Sequence, residues 1–238
     1  MNLLKNLPIG YTAQLKDIKL INFSVDQHEL RGYLSKLPLV LINDKPVISL
    51  LTVTVSQLRP SFLLNTIGFT YRHIAFRLLI KDGDLHHDNV NRGIYYWKSF
   101  TDKTFIVQAG KLFTNFNFEK AHIDCCNENF ILTKGNRFLR YSFNDESVEN
   151  YDHLKETFIN IDRAYSLNHD KMKVTKVRRN DLPLEPLNCT CFETNFFNTA
   201  KFVCAFQVKN ILDYEWLPPQ KTSLRHPISQ SMPAFISP

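Results

Sequence analysis

Between Gly68 and Ile123 the chain reads GFTYRHIAFRLLI, then a polar loop, then RGIYYWKSFTDKTFIVQAGKLFTNFNFEKAHI. Aromatic and β-branched side chains suit pleated, half-buried surfaces. The pattern predicts three aromatic-rich strands around one short helix. The whole chain shares the bias: 19 Phe and 9 Tyr stand against 7 Gly in 238 residues. So many rings with so few glycines favour a mainly β core.

The flanking sequence extends this picture. Residues 1–35 read as locally helical, with Asp26 opening a segment in which Leu30, Tyr33 and Leu34 fall at helical spacing before Pro38. VISLLTVTVSQLRP, ending at Pro60, reads as a long buried strand. On residues 67–80, Tyr71, His73, Ala75 and Arg77 share one face, and Arg72, Ile74, Phe76 and Leu78 the other. TFIVQAG reads as a strand and KLFTNF as the short helix. AHIDCC, FILTKG and RFLRYSF read as successive antiparallel strands, with Gly135-Asn136 as a hairpin turn.

Further on, HLKETFINIDRAYSL reads as a helix capped by Asp152, with Leu154, Phe158, Ile161 and Tyr165 on one face. MKVTKVRR reads as an edge strand guarded by lysines. The fold expected is mainly β with peripheral helices (α+β), an antiparallel, barrel-like sheet. One domain covers residues 1–218, and a Pro-rich tail, 219–238, is irregular and offers at most a protein-interaction segment.

Charge and cysteines narrow the function classes. The net charge of +6 is not gathered into a stripe, which argues against nucleic acid. No apolar run approaches the roughly 18 residues of a membrane span, and MNLLKNLPIGYT lacks the apolar stretch of a signal peptide. Five cysteines without a C-x-x-C fit free thiols in the cytoplasm. Cys125 and Cys126, with His122 nearby, read as small core residues. Asp84, His86, His87 and Asp88 crowd one polar loop, but neighbours in a loop seldom converge on one ion, so no metal is expected. No phosphate-cradling glycine motif occurs, and no cofactor is expected.

Several segments together resemble the uncharacterised YqjF-like family. They are VISLLTVTVSQLRP with Arg59-Pro60, RGIYYWKSF followed by FIVQAGKLF, Arg163-Ala164-Tyr165 with the strand to Arg179, Leu182-Pro183-Leu184, and Trp216-Leu217-Pro218. That family is similar in fold to acetoacetate decarboxylase. The resemblance implies a barrel-like sheet with a central cavity. In the decarboxylase, tandem lysines after the short helix perform Schiff-base chemistry, helped by a depressed amine pKa. The resemblance sets that position against Asn115–Phe118, where no lysine stands.

The reading is thus a small-molecule-binding cavity for an organic acid, without the decarboxylase lysine. Candidate ligand-binding residues are Arg59, His73, Arg77, Tyr95 and Lys98, since a guanidinium fork matches a carboxylate. The alternative is a lyase or hydrolase acting on a small organic acid through Lys111 or Lys120.

Overall fold

The computed structural model describes residues 8–30, 37–64, 67–81, 92–113, 118–126, 128–144, 146, 148, 151–168 and 171–221. In chain order the elements begin with β1 (Tyr11–Ser24), β2 (Leu41–Ile42), β3 (Lys45–Pro60), β4 (Phe69–Ile80) and β5 (Arg92–Thr101). Then come α1 (Thr104–Phe113), β6 (Phe118–Lys120), β7 (His122–Cys126), β8 (Asn129–Lys134) and β9 (Arg137–Asn144). They continue with α2 (Asp152–Ile159), β10 (Ile161–Asn168), β11 (Lys171–Arg179), β12 (Glu185–Pro186) and β13 (Asn188–Thr194). β14 (Lys201–Val208), β15 (Leu212–Trp216) and β16 (Gln220–Lys221) complete the set.

Seven strands close on themselves in the order β1-β15-β11-β10-β5-β4-β3 and back to β1. The barrel is mixed, not antiparallel as expected, because β10 runs parallel to β5, pairing Tyr165 with Tyr95. β6 adds a second parallel pairing to β5. The N-terminal half of β1 pairs with β15 and its C-terminal half with β14, which carries β12 outside the barrel. A second sheet, β13-β9-β8-β7, packs on the barrel wall.

Alternation on β4 sorts the two cores. Ala75 and Leu79 join the cluster inside the barrel, with Leu51, Val53 and Val55 of β3. Ile74, Phe76 and Leu78 face outward, against Phe130, Leu132, Leu139 and Tyr141 of the second sheet. Phe76 is fully buried and meets Phe23 edge-on at 6.3 Å between ring centroids. Burying one such ring stabilises the fold by about 1.5–3 kcal/mol.

Two irregularities let the long strands curve. The β1–β3 register shifts between Lys16 and Lys19, around Asp17 at φ 53°. The β3–β4 register shifts between Val55 and Leu58, around Gln57 at φ 56°. Each extra residue bends its strand and re-aims the side chains beyond it. Gly68 is required beside the second bulge, since a Cβ there would lie 2.6 Å from the Gln57 side chain and 2.7 Å from its Cα.

Several elements differ from those expected. Residues 11–24 are a strand, not a helix; Asp17 breaks the alternation of Ala13 and Leu15 with Ile18 and Leu20, hiding the period of two. Only Gln27–Glu29 forms a helical turn after Asp26, and residues 31–36 lie outside the described residues. FIVQAG belongs to α1, where buried Ile106 and Gly110 fall four residues apart. IDRAYSL is β10, a strand buried on both faces. α2 is preceded by Tyr151 at its cap, without a side-chain capping bond. β11 lies between β10 and β15, so it is not an edge strand. Gln220–Lys221 pair with β11 where an irregular tail was expected to have begun. Residues 222–238 lie outside the described residues. The β8–β9 hairpin turns at Gly135-Asn136 as expected, with Gly135 at φ 60°.

Candidate functional site

One end of the barrel opens into a cavity of about 450 Å³, within the range of small-molecule sites. α1 lies across part of the mouth, contributing Phe105, Ile106, Ala109 and Gly110. The loop after β3 brings Phe62, and β4 begins there with Phe69. Phe69 and Phe105 approach with ring centroids 5.4 Å apart. Tyr11 and Trp216, from paired strands, line the wall between.

Polar groups enter this apolar space at two stations. Arg59, near the end of β3, lies at the mouth, and its Nη1 donates to the Gln57 carbonyl oxygen at 3.1 Å. The other station is deeper. It consists of His73, Tyr96, Ser166 and Thr175, one from each of four adjacent strands, β4, β5, β10 and β11. His73, Ser166 and Thr175 are buried. His73 Nε2 is buried without a hydrogen-bond partner. Its ring stacks on Tyr96 and lies 4.9 Å from the Phe118 ring centroid.

Arg77 stands on the same face of β4, one layer below. Its Nη2 donates to Ser49 Oγ at 2.8 Å and its Nε to the Ser49 carbonyl at 3.4 Å, and it hydrogen-bonds Tyr96. Burial, then the Arg77 charge, pushes the His73 pKa down to about 3, so its imidazole is neutral. Burial raises the Tyr96 pKa, and Arg77 opposes that rise. The deep station therefore holds a neutral imidazole and a phenol, with a guanidinium behind the phenol.

The sequence-derived candidates divide. Arg59 and His73 line the cavity. Arg77 lies beneath it and reaches it through Tyr96. Tyr95 and Lys98 do not line it. Tyr95 is buried in the core between barrel and second sheet. Lys98 pairs with outward-facing Phe76, its Nζ 4.9 Å from the Trp97 ring centroid. Strict alternation would place Tyr96 and Lys98 on one face; the register shift opposite Phe76 and Arg77 separates them.

Lys111 and Lys120 are exposed and do not line the cavity either. Lys120 offers its carbonyl to Lys134 Nζ at 3.0 Å. Among the described residues lining the cavity there is no lysine and no carboxylate. Residues 114–117 lie outside the described residues, as does the loop with Asp84, His86, His87 and Asp88. Sequence reasoning missed Tyr96, Ser166, Thr175 and Trp216. Two of these lie on β10 and β11, whose place in the barrel depends on closure.

The thiols are all free. Cys125 and Cys126 are exposed on β7, not core residues as expected, because β7 is an edge of the smaller sheet. Cys204 is buried, and burial pushes its thiol up to about 12. The basic residues of β11 serve the fold: Arg178 pairs with Glu215 at 3.7 Å, and Arg179 Nη2 donates to the carbonyls of Ile159 and Ile161 at 2.6 and 3.2 Å. Among the described residues, no helix is long and apolar enough to cross a membrane.

This barrel has the acetoacetate decarboxylase-like fold. An acetoacetate decarboxylase-like enzyme from Sphingomonas wittichii RW1 superposes with TM-score 0.55 at 12% identity, over 92% of this chain and 94% of that one. Acetoacetate decarboxylase from Legionella pneumophila gives 0.56 at 13%, over 90% and 87%. The enduracididine biosynthesis enzyme MppR, complexed with pyruvate, gives 0.53 at 9%, over 90% of each chain. Likeness at this level of identity concerns the fold alone. No curated protein matches the chain in sequence. The chain belongs to the DUF2071 family of uncharacterized conserved proteins, whose model matches residues 12–220. The YqjF-like resemblance is consistent with that membership.

Proposed function

We propose that the barrel cavity binds a small organic acid without forming a covalent bond to it. The observation that carries this reading is the cavity's composition. Aromatic and aliphatic walls enclose Arg59 and His73, while no lysine stands among the described lining residues. The guanidinium groups of Arg59 at the mouth and of Arg77 beneath the floor supply positive charge for a carboxylate, and walls of low polarity strengthen that attraction. The fold neighbour MppR is known in complex with pyruvate, which is itself a small carboxylate.

A catalytic alternative would use Lys111 or Lys120 as a reactive amine in a lyase or hydrolase. Both are exposed and lie away from the cavity lining. A Schiff base needs an amine whose pKa is depressed by burial or a cationic neighbour, and Lys120 adjoins Glu119. Free thiols suit a cytoplasmic setting. Nucleic acid has no part in this reading.

Trp216 lines the cavity and reports on it. Its fluorescence, followed while organic acids and their primary amides are titrated in, tests the reading. Acids are expected to bind more tightly than amides. Equal binding of the two, or no binding at all, contradicts the reading. Borohydride reduction in the presence of 2-keto acids is expected to leave the protein mass unchanged; an adduct on Lys111 or Lys120 would establish the alternative.

A further inference from the structure

The cavity has two polar stations and an apolar collar outside it. Phe62, Phe69 and Phe105 line the cavity and are 72%, 51% and 43% exposed, and Leu64 and Ile67, in the chain between Phe62 and Phe69, are exposed as well. Isolated exposed apolar side chains are ordinary, but a contiguous group on the rim of a pocket marks a binding surface. Its continuity with the cavity wall means that one elongated molecule can cover both.

Resting on the reading above, we infer that the ligand is an amphipathic acid with an extended apolar body. It lies with its carboxyl group at His73, Tyr96, Ser166 and Thr175 and its tail on Phe62, Phe69 and Phe105. A short polar keto acid would leave the collar uncovered. The reverse orientation would put an apolar tail against four polar side chains.

Three observations favour the deep station for the acid. His73 Nε2 is buried without a partner, and a buried polar atom left unpaired costs free energy that a ligand oxygen or hydroxyl relieves. Tyr96 is backed by Arg77, whose positive charge below the floor attracts a carboxylate in a medium of low dielectric. The hydroxyl of Ser166 comes from β10, which neighbours the strand of Tyr96, and that of Thr175 from β11, one strand further round, and both line the cavity as further donors. At the mouth, Arg59 already donates to Gln57.

The apolar tail contributes through the collar. Each methylene removed from water improves affinity roughly fourfold. Affinity in a linear acid series therefore climbs with length while carbons are still being added against the wall and collar.

The test is isothermal titration of the full chain with linear acids from butanoic to decanoic and with the matched 1-alkanols. The wild type, Arg59→Ala, His73→Asn, the double variant Ser166→Ala/Thr175→Val and the double variant Phe62→Ser/Phe69→Ser are compared. Near-ultraviolet circular dichroism confirms that each is folded. The preference for acid over alcohol is expected to survive Arg59→Ala and to fall at least tenfold in His73→Asn. It is also expected to fall in the hydroxyl-free double variant, which keeps the test decisive if His73→Asn unfolds. The Phe62→Ser/Phe69→Ser variant is expected to lose the gain from the last methylenes and keep the acid preference. If Arg59→Ala abolishes the preference and His73→Asn spares it, the inferred orientation is overturned while acid binding stands. A flat length series overturns the extended apolar body. If no acid of any length binds, the proposed function itself fails.

Discussion

The imidazole of His73 stacks on the phenol of Tyr96, with ring centroids 6.1 Å apart and planes 14° from parallel. The contact joins β4 to β5 on the inside of the barrel and sets a neutral base beside a phenol held by Arg77. Tyr71 and Phe118 complete the surroundings of the imidazole.

This placement predicts an acid-sensitive fold. The folded His73 value, about 3, lies below the ordinary value of about 6.5. The folded protein therefore binds fewer protons than the unfolded chain between those values. Stability is fully present above the unfolded value and is lost as pH falls from there towards 3. Urea unfolding at a series of pH values should show wild type losing more stability than His73→Asn between pH 6.5 and 4.5. Parallel curves would contradict it.

Glu29 acts in a lower window. Its carboxylate accepts the N–H groups of Asn198 and Thr199 at 2.8 and 2.6 Å and the Thr199 hydroxyl. Burial pushes its pKa up, but those hydrogen bonds outweigh it and hold the carboxyl below its usual range. Its stabilisation is present above the unfolded value, near 4.3, and is lost as pH falls below it. Glu29→Gln should cost about 1–2 kcal/mol at pH 7, and the difference should shrink in urea titrations at pH 3.

Gly110 permits the close approach of α1 to the cavity wall. A Cβ there would meet Phe118 Cδ2 at 2.6 Å. That ring is packed by Tyr71 and His73 and has little room to move. Alanine normally favours a helix over glycine by about 1 kcal/mol. Here Gly110→Ala should instead destabilise by about 1–3 kcal/mol through overpacking, lowering the melting temperature in calorimetry.

Tyr141 fastens the second sheet to the barrel. Its hydroxyl lies 2.9 Å from Thr52 Oγ1, and both residues are buried. Tyr141→Phe should cost about 1–2 kcal/mol by leaving the Thr52 hydroxyl unpaired. Adding Thr52→Val should cost less than the sum of the single losses, as a double-mutant cycle in urea would read.

Local chemistry made some of this legible and hid the rest. The β8–β9 hairpin was readable because Gly135-Asn136 supplies a turn between alternating strands. The grouping of Tyr71, His73, Ala75 and Arg77 on one face of β4 was readable because its period of two is unbroken, but which face turns inward depends on how the barrel closes. β10 was read as helix because Phe158, Ile161 and Tyr165 happen to keep helical spacing across the end of α2. α1 was cut short because Phe105, Ile106 and Val107 look like a strand until Gly110 finds Phe118. The parallel β5–β10 pairing, which brings Ser166 into the cavity, joins distant segments and leaves no local mark.

The most direct measurement is a crystal structure with 4-(4-bromophenyl)butanoate bound. The expected placement has the carboxylate beside His73 and Tyr96 and an anomalous bromine peak near Phe62 and Phe105. A bromine peak at the floor of the barrel, or a ligand bound only outside the cavity, would contradict it.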